Sequence, residues 1–379
     1  MGSSRVAVSV FFFINGFLYA NLMSRLPFLK GMLELNNSQL GVLLFMLAFG
    51  ALLGMPLAGH FAVKYGSAKV AFITGLIFCG FIAFTAFSKD YIFTAAMMLL
   101  TGASDGSMDV CINGQAVLIE RVYQKSIMSS FHALFSIGMF LGGLTGSAFS
   151  KIEISLFYHL LIFSVISLFL ILKAAPKLLP EENKQTSKVE KRWKKPPLAV
   201  MVLGIMAFCC FTAEGSMVDW SAMYLTEYLK QSNALGGLAF GVFGGGMTLG
   251  RVFGDYFINR FSSDKMLIIN SLLAITGFLI FLIFGNIWSA FVGFFMIGLG
   301  ASTIVPIVFS SAGNLPGVNP SVGIAFATSV GYLGLFFGPP TIGFLSDLFN
   351  LRLAFLFSLT LMLILFTLVV FRLHKMKVE

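Results

Sequence analysis

The chain has 379 residues, of which 58% are apolar and only 11% charged, and its mean hydropathy is +0.91. A soluble domain carries roughly a quarter charged residues, so this balance excludes a soluble enzyme or binding module and points to a polytopic membrane protein. The net charge of +9 is no nucleic-acid footprint, because 18 of the 25 Lys and Arg gather on one side of the implied membrane. Six fall on the other side (Arg25, Lys30, Lys89, Lys151, Lys230 and Arg352), and Arg251 is left near the inner end of the eighth span. That split predicts cytoplasmic termini and a plasma-membrane location.

About 20 apolar residues cross a hydrocarbon core about 30 Å thick as a helix. Twelve segments meet this, at 6–28, 38–63, 68–88, 91–119, 126–150, 153–174, 197–225, 235–258, 264–285, 287–313, 320–346 and 350–372. Their continuous apolarity is unlike the ten-residue alternation of a membrane barrel, so the expected fold class is an all-α membrane protein. The tail Met1 to Arg5 shows no small-residue cleavage site, and the first span is expected to stay.

In the first span, Asn15, Asn21 and Arg25 are the polar residues, with Arg25 expected to snorkel to the outer surface. The second span carries Gly50 and Gly54, and the turn after it runs Gly59-His60-Phe61-Ala62-Val63-Lys64-Tyr65-Gly66-Ser67-Ala68-Lys69. The fourth span is the most informative. Asp105, Asp109 and Asn113 follow at intervals of four, so they share one helix face and step about 6 Å per turn along it. Charge at bilayer depth costs at least roughly 2.5–3.5 kcal/mol and is usually kept for function in a watered cavity. Two carboxylates so spaced cannot both stay ionised cheaply, so at least one is a candidate proton carrier. Asp109 could carry the proton, bind solute directly or make a buried structural bond; Asp105, beside Gly102 and Gly106, divides between structural and functional readings. Gln115 follows on the same span as a candidate ligand. His132 in the fifth span could titrate or simply pack.

Lys173 to Lys195 interrupts the apolar rhythm with eight Lys/Arg, three Glu (Glu181, Glu182, Glu190) and Pro176 and Pro180. It reads as a basic cytoplasmic linker, 175–196, between six-span bundles at 1–174 and 197–379. In the seventh span Glu214 and Asp219 are five apart, about 140° around a helix, so they do not share a face. Glu214 should look into a cavity, while a structural bond suits Asp219 better. Trp220 could stack on a ring-bearing solute or anchor at the interface. Pro306 and Pro339-Pro340 mark bending points in the tenth and eleventh spans. The cysteines Cys79, Cys111, Cys209 and Cys210 all lie within spans without metal-site spacing.

Glycines spaced by four recur in every third span: Gly50 and Gly54; Gly138, Gly142 and Gly146; Gly246, Gly250 and Gly254; Gly334 and Gly338. Such stripes allow close helix approach, and their recurrence implies four three-helix units, as in nested-repeat transporters. They are expected to line the seam between the two halves.

On these features the chain resembles the major facilitator superfamily over its full length. The resemblance implies two pseudo-symmetric six-helix bundles around a central cavity and a cytoplasmic latch after the second and eighth spans. Here the latch residues are Lys64 and Lys69, with Val63 in place of the usual acid, and Arg251, Asp255 and Arg260. Asp109-Val-Cys-Ile-Asn113-Gly114 is similar to the fourth-span motif of the fucose–proton symporter branch. The resemblance implies a proton-coupling role for Asp109, although Gly114 replaces the usual proline and Asn15 stands where an acid is found. The Glu214-Gly-x-Met-x-Asp-Trp-Ser stretch, with Gly331-Tyr332 and Gly338-Pro339-Pro340, resembles bacterial inner-membrane facilitator proteins of the YbjJ type.

The expected function is secondary active transport of a small polar, sugar-like solute by alternating access and proton symport. Asp109, Asp105 and Glu214 are the coupling candidates; Asn113, Gln115, Asn15, Asn21, Glu214, Asp219 and Trp220 are the binding candidates. No cofactor, metal or nucleic acid is expected, and the chain should act as a monomer in the bilayer with the proton as coupling ion. The alternatives are a proton-antiporting exporter of amphipathic compounds, which the many Phe and Met would suit, and a membrane receptor without turnover. An enzyme is not expected, since HExxH, nucleophile-elbow and phosphate-loop motifs are all missing, and nothing resembles a channel filter.

Overall fold

The computed structural model describes residues 2–124, 127–180, 197–315 and 320–378, and all regular structure among them is helical. Of the basic linker, residues 181–196 lie outside the described set. The helices are α1 (Gly2–Met23), α2 (Leu26–Met32), α3 (Asn37–Tyr65), α4 (Ser67–Phe84), α5 (Tyr91–Tyr123), α6 (Met128–Lys151) and α7 (Leu156–Ala174). After the linker come α8 (Leu198–Met223), α9 (Asn233–Phe261), α10 (Ser263–Phe284), α11 (Ile287–Ala301), α12 (Ile304–Gly313), α13 (Pro320–Leu348) and α14 (Leu351–Val378).

By length and composition, nine of the described helical stretches are apolar enough to cross a membrane. The fourth, eighth and eleventh expected spans are α5, α9 and α13, of 33, 29 and 29 residues. Apolarity is diluted in α5 by its aspartates and Asn113 and in α9 by glycines and Arg251, while some side chains of α13 lie outside the described set.

Two expected spans are broken helices. The first stops at Met23 and restarts as α2 after Ser24 and Arg25, with Pro27 in the first turn of α2, where its missing N–H costs nothing. The tenth is split between α11 and α12 at Ser302 and Thr303. Pro306 explains the break, because it cannot donate to the Ser302 carbonyl four residues back and its ring crowds that carbonyl. Pro339 and Pro340, in contrast, lie inside an uninterrupted α13. A five-residue π-helical segment, Tyr224–Tyr228, continues α8.

The chain divides into two compact units, Met1–Asn36 with Val42–Glu190, and Asn37–Gly41 with Lys191–Glu379. In the first, α1 packs against α5, α6 and α7, and α4 against α5 and α7. In the second, α8 packs against α9, α13 and α14, and α10 against α11 and α14. The first turn of α3 clusters with this second unit, where the Asp347 carboxylate accepts hydrogen bonds from the amides of Asn37 (3.1 Å) and Ser38 (2.7 Å). A carboxylate there satisfies orphan donors at the positive end of the α3 dipole.

Within each unit the glycine stripes serve close helix contacts. Gly50 and Gly54 of α3 meet the backbone of α5 at Leu99 and Ala103, and Gly138 and Gly142 of α6 meet α1 at Phe13 and Phe17. Gly246 and Gly250 of α9 meet α11 and the break beyond it at Phe295 and Ser302, and Gly334 of α13 meets α8 at Phe208. Four helix pairs are thus in backbone contact, and in three of them glycines of the facing helix, Gly102 on α5, Gly16 on α1 and Gly298 on α11, meet backbone as well. Dispersion between closely apposed backbones is what holds helices together where lipid removes the hydrophobic drive.

Candidate functional site

In the first unit the site is built on α5. Asp105 lies between Gly102 and Gly106, where the backbone of α3 at Leu47 and Ala51 comes close. Its Oδ1 is buried and has no hydrogen-bond partner among the described residues. One turn on, the Asp109 carboxylate accepts from Asn113 Nδ2 at 3.2 Å, and the same nitrogen donates to the Asp109 carbonyl at 2.9 Å. Asp105, Asp109 and Asn113 are all half-buried on one face, as their spacing requires. On α1, which packs against α5, Asn15 is 3% exposed and its Nδ2 is also buried without a partner among the described residues. An acceptor and a donor left open in apolar surroundings each cost about 1–3 kcal/mol. Such groups persist where a proton, water or solute completes them.

Two binding candidates are otherwise engaged. Gln115 is fully buried: its Nε2 donates to Ser67 Oγ and to the Leu179 carbonyl, both at 2.9 Å, and its Oε1 accepts from the Leu179 amide at 2.9 Å. Its amide clamps α5 to the start of α4 and to the segment after α7, and has no group left for a solute. Gln115→Leu should therefore lower stability by about 1–3 kcal/mol, read by thermal unfolding in detergent, and leave solute affinity unchanged.

Asn21 belongs to a second network. Its Nδ2 donates to the Phe17 carbonyl (2.7 Å), and its Oδ1 accepts from Thr145 Oγ1 (2.9 Å) and faces His159 Nε2 (2.8 Å). Because Oδ1 only accepts, His159 carries its proton on Nε2, leaving Nδ1 to accept from Arg25 Nη1 at 3.4 Å. Arg25 Nη2 donates to the Ile154 carbonyl at 2.9 Å. Arg25 does not snorkel: it is 2% exposed, ties α1 to α7, and lies 5.0 Å from the Phe28 ring. Sequence reading missed His159, although an imidazole in an otherwise apolar sixth span was the signal. His132 is exposed, and packs edge-on to Phe12 at 5.3 Å between ring centres.

In the second unit Glu214 pairs with Arg251 at 3.5 Å, the side chains 17% and 25% exposed. Glu214 is about 24 Å into α8, and Arg251 about 15 Å short of the end of α9. Arg251, expected in the latch, thus has the Glu214 carboxylate as a partner well inside α9. Asp219 is buried, and no hydrogen bond or ion pair joins it among the described residues, contrary to the structural bond expected of it. Trp220 is fully buried with its Nε1 unpartnered among the described residues, so it neither anchors at the interface nor offers a ring face to solute.

Of the remaining latch residues, Lys64 and Lys69 flank the Tyr65 ring at 5.0 and 5.7 Å, and Arg260 is exposed near the end of α9. The Asp255 side chain lies outside the described set. Among the described residues no group of His, Cys, Asp and Glu is arranged to hold a metal.

Known proteins share this fold. The model for the Major Facilitator Superfamily matches residues 8–319 and 202–378. An MFS-type transporter of Yersinia pestis is 34% identical over 353 residues, covering 93% of this chain and 91% of its own. Membrane protein MosC of Rhizobium meliloti is 30% identical over 354 residues, covering 93% and 86%. Among solved structures, a point mutant of the nucleoside transporter NupG superposes with a TM-score of 0.78 at 14% identity, covering 97% of this chain and 98% of that one. A bacterial homologue of the human lysosomal transporter Spinster, inward-facing and occupied, gives 0.72 at 16% identity, covering 97% and 95%. The all-helical architecture, the full-length family match and the relative at 34% identity lead to one conclusion: the chain belongs to the major facilitator superfamily and is a multi-pass membrane transporter.

Proposed function

We propose that this transporter takes up a small polar, sugar-like solute by symport with protons across a bacterial plasma membrane, with both termini cytoplasmic. The observation that carries the reading is the Asp105–Asp109–Asn113 face, with a buried carboxylate oxygen of Asp105 left open. A carboxylate in that setting is neutralised by a proton far more cheaply than it is kept charged. Protonation of Asp109 removes the like-charge strain on the face, and frees Asn113 to turn its amide from Asp109 to solute hydroxyls. Asn15 offers a second donor from α1. Proton and solute thus bind the same face cooperatively.

The Glu214–Arg251 pair supplies the fixed charges of the second unit. Glu214→Gln leaves Arg251 facing a neutral amide, and transport should fall at least about tenfold, which corresponds to the loss of about 1.4 kcal/mol. Restoring charge balance with Arg251→Gln should recover thermal stability but not transport, which separates a functional pair from a structural one.

A thermal-shift screen of the purified protein against polar metabolites, at one acidic and one alkaline pH, tests the reading. A solute at 100 times its Kd raises stability by about 2.7 kcal/mol. The expected shift is larger at acidic pH in the wild type and equal at both in Asp109→Asn. A wild-type shift indifferent to pH would remove the proposed coupling.

A further inference from the structure

Within the first unit, a groove of about 600 Å³ opens between α3, α4 and α5. Gly54 and Ala58 form its floor on α3, Ala103 closes it on α5, and Ile73 and Ile77 form its α4 wall. Leu57, Phe61, Ile73 and Ile77 are exposed along it, so it is open at the side rather than sealed. Its hydroxyls are largely silent. Thr74 donates to the Val70 and Ala71 carbonyls, and Ser104 to those of Leu100 and Thr101, which leaves a surface that offers apolar contact to an occupant.

One end of the groove differs in kind. Tyr65 and Lys69 line it there, and the ammonium groups of Lys64 and Lys69 lie 5.0 and 5.7 Å from the same Tyr65 ring. No acid occurs in the sequence between Glu34 and Asp90, and neither lysine has a carboxylate partner among the described residues. Two positive charges without counter-charge among the described residues, at the mouth of an apolar groove in a membrane protein, fit a molecule that is anionic at one end and hydrocarbon at the other.

We propose that this groove is a binding site for one anionic phospholipid, with an acyl chain lying along Gly54, Ile73 and Ile77 and its phosphate taken by Lys64 and Lys69. The chemistry is the attraction of anionic headgroups to basic residues near the membrane surface, joined to burial of a chain in a slot that α3, α4 and α5 leave open. It requires neither the Asp109 face nor a transported solute.

The test is native mass spectrometry of the full-length protein released from detergent after incubation with equal amounts of phosphatidylglycerol and phosphatidylethanolamine. Wild type should retain one phosphatidylglycerol in preference to phosphatidylethanolamine by roughly tenfold or more. Lys64→Gln/Lys69→Gln should bring the two to parity, while Lys89→Gln/Lys151→Gln, which removes two exposed lysines elsewhere, should keep the preference. Ile73→Trp should report the chain directly, its fluorescence quenched by phosphatidylglycerol brominated on the acyl chain. Equal retention of both lipids by wild type, a preference that survives Lys64→Gln/Lys69→Gln, displacement of phosphatidylglycerol by glycerol phosphate, or no quenching of Ile73→Trp would each overturn the proposal.

Discussion

Gly50→Val is expected to leave little folded protein, whereas Gly59→Ala on the same helix is expected to be neutral or slightly stabilising. The two glycines are nine residues apart on α3 and differ in what a Cβ would meet. At Gly50 it would overlap the Leu99 carbonyl of α5 and approach the Ala103 nitrogen at 2.8 Å, so backbone on both sides must move. At Gly59 nothing lies within 4 Å. Overpacking of a closed contact costs about 1–3 kcal/mol or more, while relief of glycine's backbone entropy is worth up to about 1 kcal/mol. Thermal unfolding of the two variants in detergent should bracket the wild type. Gly80→Ala on α4, which also meets nothing within 4 Å, is a second neutral control. Equal behaviour of Gly50→Val and Gly59→Ala would show that α3 and α5 are not in closed backbone contact.

Asp109→Asn should abolish uphill accumulation of solute while leaving exchange of solute for solute across the membrane. The amide imitates the protonated acid in shape and neutrality, so the face on α5 can still close around a solute and release it on the other side. What is lost is the link between that cycle and a proton. Accumulation driven by an inward proton gradient should fall to equilibration, and the acceleration of wild-type uptake with falling external pH should disappear. Asp105→Asn tests the neighbour in the same way. If Asp105 serves only to fill its place between Gly102 and Gly106, its variant keeps both accumulation and pH dependence. If its open oxygen takes part in proton movement, accumulation drops while exchange persists. Labelled-solute uptake and counterflow in the same vesicles give both readings.

The helices were legible because membrane spans write themselves as long apolar runs, and the spacing of Asp105, Asp109 and Asn113 on one face needs only helical geometry. The breaks at Ser24–Arg25 and at Ser302–Thr303 were less so, since each is a short polar pair after which the apolar run resumes; Pro27 and Pro306 are the residues that mark a restarted helix. Depth is hard to read for Arg251, whose sequence context suggests a surface charge because α9 extends further than its apolar core. Partner choice was the least legible. Nothing local says that Gln115 bonds to Leu179, 64 residues away, or that Asn21 and Arg25 converge on His159, and an amide or guanidinium in a span looks the same whether it faces solute or another helix. The glycine stripes show the same limit. Their period reveals a face made for close approach but not which helix approaches it.

If proton and solute share the α5 face, each solute that enters must bring a proton with it. The direct measurement is luminal pH in proteoliposomes loaded with a pH-sensitive dye, followed when a solute identified by thermal shift is added outside without an imposed gradient. Wild type should acidify the lumen in proportion to the solute entering, and Asp109→Asn should not, despite continued solute exchange. Solute entry by wild type without any change in luminal pH, or undiminished acidification by Asp109→Asn, would contradict the shared face.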